Sequence, residues 1–259
     1  DDTKTTKNFS SRVRLNAKAN VNANTEVFLQ LQSIGTWGTA STDLGTRVSA
    51  GGGNPAGNQQ ASDQLSDVGF HQAYVTLKNF AGQGVDAKIG RQEVILDGHR
   101  LFGNTGWTDG AETKDAIRLT HAGGNHAINY VYIEASNVAG VGQTNNDKGS
   151  VHVVHTKTQG VLGGTLSGYF TATNDAATDT TGSNEENWYT VGARQAGNVG
   201  GIDYRVEYYH QLGEAGNIAT TSGYGITDAA GADRDANMVG VRLGKKIGSG
   251  SVTLWYDRL

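Results

Sequence analysis

The sequence predicts an all-β fold, an antiparallel transmembrane β-barrel, and three observations carry that expectation. About twelve segments alternate apolar and polar residues with a period of two, the mark of a strand with two unlike faces. The connections between them alternate strictly between short turns and long polar loops, as in barrels with turns on one side of a membrane and loops on the other. Only 36% of the residues are hydrophobic, with 38 glycines and one proline. That is lean for a closed two-sheet core and sufficient for a wall with one greasy face and one wet face. No apolar run approaches the length of a membrane-crossing helix, which leaves strands as the way across.

The first strand is expected from Phe9 to Val21, with Phe9, Val13, Leu15, Ala17, Ala19 and Val21 on one face and Arg12, Arg14, Asn16, Lys18 and Asn20 on the other. After an Asn-rich turn, Glu26 to Ile34 shows Val27, Leu29 and Leu31 on its apolar face. A loop rich in Gly, Ser, Asn and Gln runs to Ser66, and Asp67 to Asn79 returns with Ala73, Val75 and Leu77 opposite Gln72, Tyr74, Thr76 and Lys78. A short turn at Ala81 to Gly84 leads to Val85, Ala87 and Ile89 alternating with Asp86, Lys88 and Gly90. The Gly-rich connection from Asp97 to Ala111 is too long for a tight hairpin, and the returning segment sets Ile117 and Leu119 against Ala116, Arg118 and Thr120.

The second half keeps the rhythm. Asn125 to Ala135 sets Ala127, Val131 and Ile133 on an apolar side and Tyr130, Tyr132 and Glu134 on a polar one. Further strands are expected over Val151–Thr156, Leu162–Ala172, Trp188–Gln195, Ile202–His210, Met238–Lys245 and Val252–Arg258. With long loops outside, the first strand descends and the last ascends, so both ends face the extracellular side. A complete barrel begins and ends in the periplasm, so at least one strand is expected before Asp1 and one after Leu259. Residues 1–259 then form a single outer-membrane domain, incomplete at both ends.

Enzyme chemistry finds no support. Without cysteine, disulfides, Cys-bound zinc and thioether-linked haem are excluded. There is no His-Glu-x-x-His and no Gly-x-Ser-x-Gly. His152 and His155 have odd spacing and face opposite sides of a strand. Asp233 to Asn237 is similar to the start of a calcium loop, but Met238 stands where Gly is required and no Glu closes it. Gly51 to Gly53 lies within a long loop rather than between strand and helix, so it is no phosphate cradle. No cofactor, metal or nucleic-acid partner is expected.

The polar faces are basic in a chain of net charge −4. Arg12, Arg14, Lys18, Lys78, Lys88, Lys114, Arg118, Arg194, Arg205 and Arg242 meet fewer acids there: Glu26, Asp86, Glu134, Asp203 and Glu207. The acids gather in the long loops instead, at Asp175, Asp179, Glu185, Glu186, Glu214, Asp228, Asp233 and Asp235. A confined low-dielectric wall focuses the field of its charges, so such a lumen suits an anion path. The competing reading is that these cations form cross-strand ladders that hold the wall, as expected for Arg205 between Asp203 and Glu207. Arg12, Arg14 and Lys18 share a face without an acid and are assigned to the solute path with Lys78, Lys88, Arg118, Arg194 and Arg242. Tyr130, Tyr204, Tyr208, Trp188 and Tyr256 are compatible with aromatic girdles, with a lumenal place as the alternative for several of them.

Gly90-Arg91-Gln92, Asp97-Gly98-His99-Arg100-Leu101, Trp107 and Asp115-Ala116, with Gln72 to Val75 before them, resemble the alginate-export family of outer-membrane porins. The specific likeness covers roughly residues 67 to 121. It implies a monomeric eighteen-stranded barrel that passes anionic polysaccharide or small solutes, with outer-membrane lipid and lipopolysaccharide around it. Arg91, Arg100, Trp107 and Asp115 are the motif residues carried over. Arg91 and Arg100 are expected either to line a constriction or to hold loop carbonyls, and Trp107 to be a loop anchor or an interface residue rather than a sugar platform. The function expected is a passive outer-membrane channel for anions. The alternative from another class is a barrel scaffold that sheathes a partner protein and has no open pore.

Overall fold

A computed structural model of the chain describes residues 9–37, 68–136, 148–175, 186–214 and 233–259. Among these it is all strand: β1 (Phe9–Asn20), β2 (Thr25–Trp37), β3 (Val68–Phe80), β4 (Val85–Gln92), β5 (Lys114–Gly123), β6 (His126–Ser136), β7 (Lys148–Val161), β8 (Gly164–Asp175), β9 (Glu186–Val199), β10 (Ile202–Glu214), β11 (Asp233–Ile247) and β12 (Gly250–Arg258). They form one sheet in which every strand pairs with its neighbours in sequence, in the order β1 to β12. Among the described residues β1 pairs with β2, β12 pairs with β11, and the two stand at opposite ends of that order. The eighteen strands that the family likeness implies exceed these twelve. The Gly51–Gly53 segment and the loop acids Asp179, Glu185 and Asp228 lie outside the described residues.

Several strands run past their expected ends. β7 has 14 residues rather than the six expected, and β11 starts at Asp233. Pairing continues there through Thr, Asn, Asp and Gly, where alternation of hydrophobicity has faded but backbone hydrogen bonds have not. For the calcium-like stretch Asp233 to Asn237 this is decisive, since extended backbone paired to Glu214–His210 cannot wrap a cation. In the other direction, β4 stops at Gln92, so the connection to β5 begins at Glu93 rather than Asp97.

Contacts divide the chain into two units. One comprises Asp1–Leu77, Lys88–Ala116 and Val138–Gln143; the other comprises Lys78–Ala87, Ile117–Asn137 and Thr144–Leu259. Within each, one face of the sheet is sheltered and the other carries large apolar side chains in the open. In the first unit Phe9, Val13, Leu15, Val68 and Phe70 are exposed, Phe9 to 68%, while Gln30, His71, Gln72 and Gln92 are buried. In the second, Ile128, Leu166, Phe170, Val206 and Tyr208 are exposed, while His155, Ser167, Thr171, Thr190 and Glu207 are buried. A water-soluble sheet has the opposite distribution. Lipid contact explains it, because hydrocarbon accepts the apolar face and every backbone group is bound within the sheet.

One face expectation is overturned. In β6 the sheltered side carries Ala127, Asn129, Val131 and Ile133, with Val131 fully buried, whereas Tyr130, Tyr132 and Glu134 lie on the other face with Ile128. Glu134 is therefore not a lumen acid. Tyrosine is apolar in its ring and wet at its hydroxyl, so it serves on a lipid-facing side near the headgroups. Tyr130 and Tyr132 share that side with His152, Tyr130 Oη lying 2.8 Å from His152 Nδ1. His155 lies opposite and is buried, as its odd spacing from His152 requires.

Candidate channel constriction and basic wall

In the first unit the connection between β4 and β5 folds onto the sheltered face of β1 to β3. Its root is Glu93. The carboxylate lies 3.5 Å from Arg14 Nη1 and 3.1 Å from His71 Nε2, and the Glu93 backbone N–H donates to Gln72 Oε1 at 3.2 Å. Arg14 also donates from Nε to Gln32 Oε1 at 2.7 Å, and its Nη2 lies 2.9 Å from His71 Nε2. One ring nitrogen cannot accept from the guanidinium and donate to the carboxylate at once, so these two contacts alternate with the tautomer.

His71 reaches this cluster through a bulge. Gln30 faces Gln72 and Leu31 faces Phe70, so His71 is the extra residue, and it is buried on the same side as Gln72. An inserted residue re-aims one side chain without disturbing the pairing beyond it. Sequence alternation does not reveal such an insertion.

Further along, the loop is tied down at its far limb. Arg12 Nη1 donates to the carbonyls of Thr108 and Asp109 at 3.0 and 3.2 Å, Gln32 Nε2 to Gly110 at 2.8 Å, and Ser10 Oγ to Asp109 Oδ1 at 2.9 Å. Internally the Glu112 N–H donates to Asn104 at 2.7 Å, and Val94, Leu96 and Ala111 are buried beneath it. Asp97, His99, Thr105 and Ala111 all hold positive φ between 44° and 64°. For a β-branched residue such as Thr105 that conformation is costly. The chain keeps it because the ties on both sides leave the loop one shape. A loop laid across the polar face of a channel wall narrows the passage, whichever solute uses it.

The expected site residues take these positions. Arg12 and Arg14 hold the loop, and the expectation that Arg12, Arg14 and Lys18 meet no acid is corrected: Glu93 joins Arg14 from the loop, and Glu26 joins Lys18 from the next strand at 2.8 Å. Lys88 caps the Tyr74 ring at 3.7 Å, and Tyr74 stacks on Phe28 at 5.0 Å. Lys78 is exposed near the turn that ends β3, and Lys114 pairs with Glu112. Arg91 lies on the opposite side from Gln92 and grips Asp115 with two hydrogen bonds, 2.9 and 2.7 Å, tying β4 to β5. This partner is a strand carboxylate and not the loop carbonyls expected for Arg91. Arg100 is exposed, and Trp107 is 80% exposed.

The second unit presents a different wall. Arg118 donates through Nε and Nη2 to Asn129 Oδ1 at 3.1 and 2.8 Å, and Thr120 adds a third donor. With its oxygen so occupied, the Asn129 amide donates to His155 Nδ1, 3.3 Å away, and His155 packs on Tyr169 at 4.7 Å. Tyr209 completes the row edge-on to Tyr169 at 5.5 Å, across Gly192. A Cβ on Gly192 would stand 2.2 Å from the Tyr209 ring, so the row exists because that residue has no side chain. Next along the strands, Arg194 and Arg205 flank the buried Glu207 at 3.9 and 3.5 Å, which is the ladder role expected for Arg205. Arg242 lies opposite Arg205 and near Trp255, and Arg234 covers Trp188 at 4.4 Å. Trp188 thus faces the polar side rather than a girdle, while Tyr208 and Tyr256 are exposed on the lipid side.

Comparison with known proteins adds three findings. Residues 2–255 match the profile of a protein family described as alginate export. Salmonella typhi OmpF in complex with daunomycin is similar in structure, at 12% identity and a TM-score of 0.47, over 96% of this chain and 82% of that one. A loop L8 deletion mutant of OmpT, an outer membrane protein of Vibrio cholerae, is similar at 12% identity and a TM-score of 0.43, over 95% and 83%. No curated protein matches the chain.

Proposed function

Because this chain belongs to the alginate export family, we propose that it forms a passive outer-membrane channel selective for anions, not an enzyme. Its location is the bacterial outer membrane. The observation that carries the proposal is the loop from Glu93 to Glu112, laid over the sheltered face of β1 to β3 and held there by Arg12 and Arg14. A narrow passage concentrates the field of the charges beside it. Arg12 binds the loop through neutral carbonyls, so these bonds do not cancel its charge. Arg118 likewise meets an amide oxygen rather than a carboxylate. The cargo in this proposal is small anions or an anionic polysaccharide.

The proposal includes a monomeric barrel larger than twelve strands, with residues 1–259 as one domain of it. β1 and β12 are each paired along one side among the described residues, and in lipid an unpaired strand edge costs several kcal/mol for each bare backbone group. The rival reading, a sheath around a partner protein, predicts no conductance.

Planar-bilayer recording tests both. The protein should give stable single-channel steps and a reversal potential on the anion side in a salt gradient. Arg12→Glu combined with Arg14→Glu should move that potential toward cations. Unchanged selectivity in the double variant removes these arginines from the path, and a silent membrane favours the sheath.

A further inference from the structure

The latch that joins the loop to β1 is looser than the bonds around it. Elsewhere in the same unit Arg91 grips Asp115 with hydrogen bonds of 2.9 and 2.7 Å, one to each oxygen. Arg14 meets Glu93 through one oxygen only, with Nη1 at 3.5 Å, beyond hydrogen-bond length. The second hold on Glu93 is His71 Nε2 at 3.1 Å, and Arg14 Nη2 lies 2.9 Å from that same nitrogen. While the imidazole donates to Glu93 it cannot accept from Arg14, so one of these contacts is always forfeited. The loop beyond is strained as well. Asp97, His99, Thr105 and Ala111 keep positive φ, and such conformations persist only while the surroundings impose them. Loss of Glu93 from β1 therefore relaxes the limb that starts there.

Arg14 in turn is a carboxylate ligand whose donors are under-used. A guanidinium carries five N–H groups. Nε serves Gln32 at 2.7 Å and one hydrogen of Nη2 faces His71, which leaves Nη1 and the other hydrogen of Nη2. A free carboxylate sets both oxygens on such a fork, whereas Glu93 is tethered to the loop and sets neither within hydrogen-bond length of it. At the latch two guanidiniums, Arg12 and Arg14, stand with two loop acids, Glu93 and Asp109, the latter bound by Ser10. A carboxylate added beside Glu93 meets a like charge, so it enters by exchange. The Glu93 side chain is 17% exposed, so the place it fills is open to solutes.

We propose that Glu93 occupies, from within the chain, a binding place for carboxylates on Arg14 and His71, and that a carboxylate solute displaces it and frees the loop. The constriction is self-inhibited, and a monocarboxylate is the class that opens it: one negative charge replaces one, whereas a phosphate dianion adds a second. The proposal rests on reading this loop as a constriction, and its binding part holds whichever ion the channel prefers.

Binding is measured on the full chain in detergent, by saturation-transfer NMR on the methyl protons of acetate. With the competitor gone, Glu93→Gln should bind acetate at least about tenfold more tightly than the native chain. Adding Arg14→Lys, which keeps the charge without the fork, should cancel that gain while the folded band on a gel is kept. In planar bilayers at constant ionic strength, acetate in place of chloride should make the native open level flicker saturably. Methanesulfonate, of equal charge and a poorer acceptor, should be at least about fivefold weaker. Glu93→Gln should flicker already in chloride and respond no further. Equal acetate affinity in the native chain and Glu93→Gln refutes the exchange, and so does a gain that survives Arg14→Lys, which puts acetate elsewhere. Flicker raised equally by methanesulfonate, or inorganic phosphate bound as tightly as acetate, overturns the carboxylate assignment. The NMR arm needs no conductance, so a silent membrane does not spare the proposal. A cation-selective channel whose Glu93→Gln variant gains acetate affinity sinks the anion channel alone, and an anion-selective channel without that gain sinks the exchange alone.

Discussion

The sheltered face of β1 to β4 and that of β6 to β10 start from the same alternation and are filled in different ways. On β6 to β10 the strands fill the space themselves. Val131 packs against Val153, their partner across the ladder, and Tyr209 reaches Tyr169 over the bare backbone of Gly192. On β1 to β4 the strand residues are mostly amides and cations: Asn16, Gln30 and Gln72 bond in series, and Arg14, Gln32 and His71 stand above them. That face is completed by a loop from elsewhere in the chain, which brings its own carboxylate and its own apolar residues. A wall lined with its own aromatics is rigid by packing. A wall lined by a tied loop is rigid only while the ties hold, so the second kind can change the width of a passage.

Several substitutions test the contrast. The largest effect should come from Val206→Arg on the lipid side of β10, where a cation near the middle of the apolar band costs about 2–4 kcal/mol. Urea unfolding from lipid vesicles measures it, and an effect near zero would falsify the lipid assignment of that face. Next is Glu93→Gln, which removes the charge that joins Arg14 and His71 to the loop and costs about 1.5–3 kcal/mol. Its distinctive signature is electrical: single-channel conductance should rise and the open level should flicker. A quiet, unchanged channel means the loop does not narrow the path. Gly192→Ala acts on the self-filled face, driving a methyl group into the Tyr209 ring at a cost of about 1–3 kcal/mol. Stability should fall with conductance noise unaltered, and adding Tyr209→Leu should restore part of the loss. Smallest is Lys18→Ala, since its half-exposed pair with Glu26 is worth about 0.2–1 kcal/mol; the thermal midpoint should barely move.

The strands and their order were legible in the sequence because period two is written by every residue of a strand, and errors average out over ten positions. The faces were legible wherever the lipid side was aliphatic, as at Val13 and Leu15 or at Val206. β6 shows the limit. Its wet-looking Tyr130 and Tyr132 face lipid and its greasy Val131 faces inward, because the interior at that point is packed rather than watery. The site was half legible. The cations were found, and so was Glu207 beside Arg205, but the partner of Arg14 was not, since Glu93 reaches it across 78 intervening positions of sequence and a loop folded inward leaves no periodic trace. The likeness around Gly90 to Ala116 drew attention to the right loop while giving Arg91 two possible roles. The observed partner was in neither: Arg91 is on the far side from Gln92, where the Asp115 carboxylate is within reach.

The bulge at His71 bears on how this chain can change by insertion and deletion. Removing one residue from a membrane strand ordinarily inverts every side chain between the lesion and the next turn, sending charges into hydrocarbon. His71 is an exception, because it is already supernumerary: without it Phe70 still faces outward and Gln72 inward, each opposite its present partner on β2. A His71 deletion should therefore insert and fold as a straight strand, missing only the ring that stands between Arg14 and Glu93. In this strand the single-residue gap, usually the most damaging of mutations, becomes a mild one that acts on the loop alone.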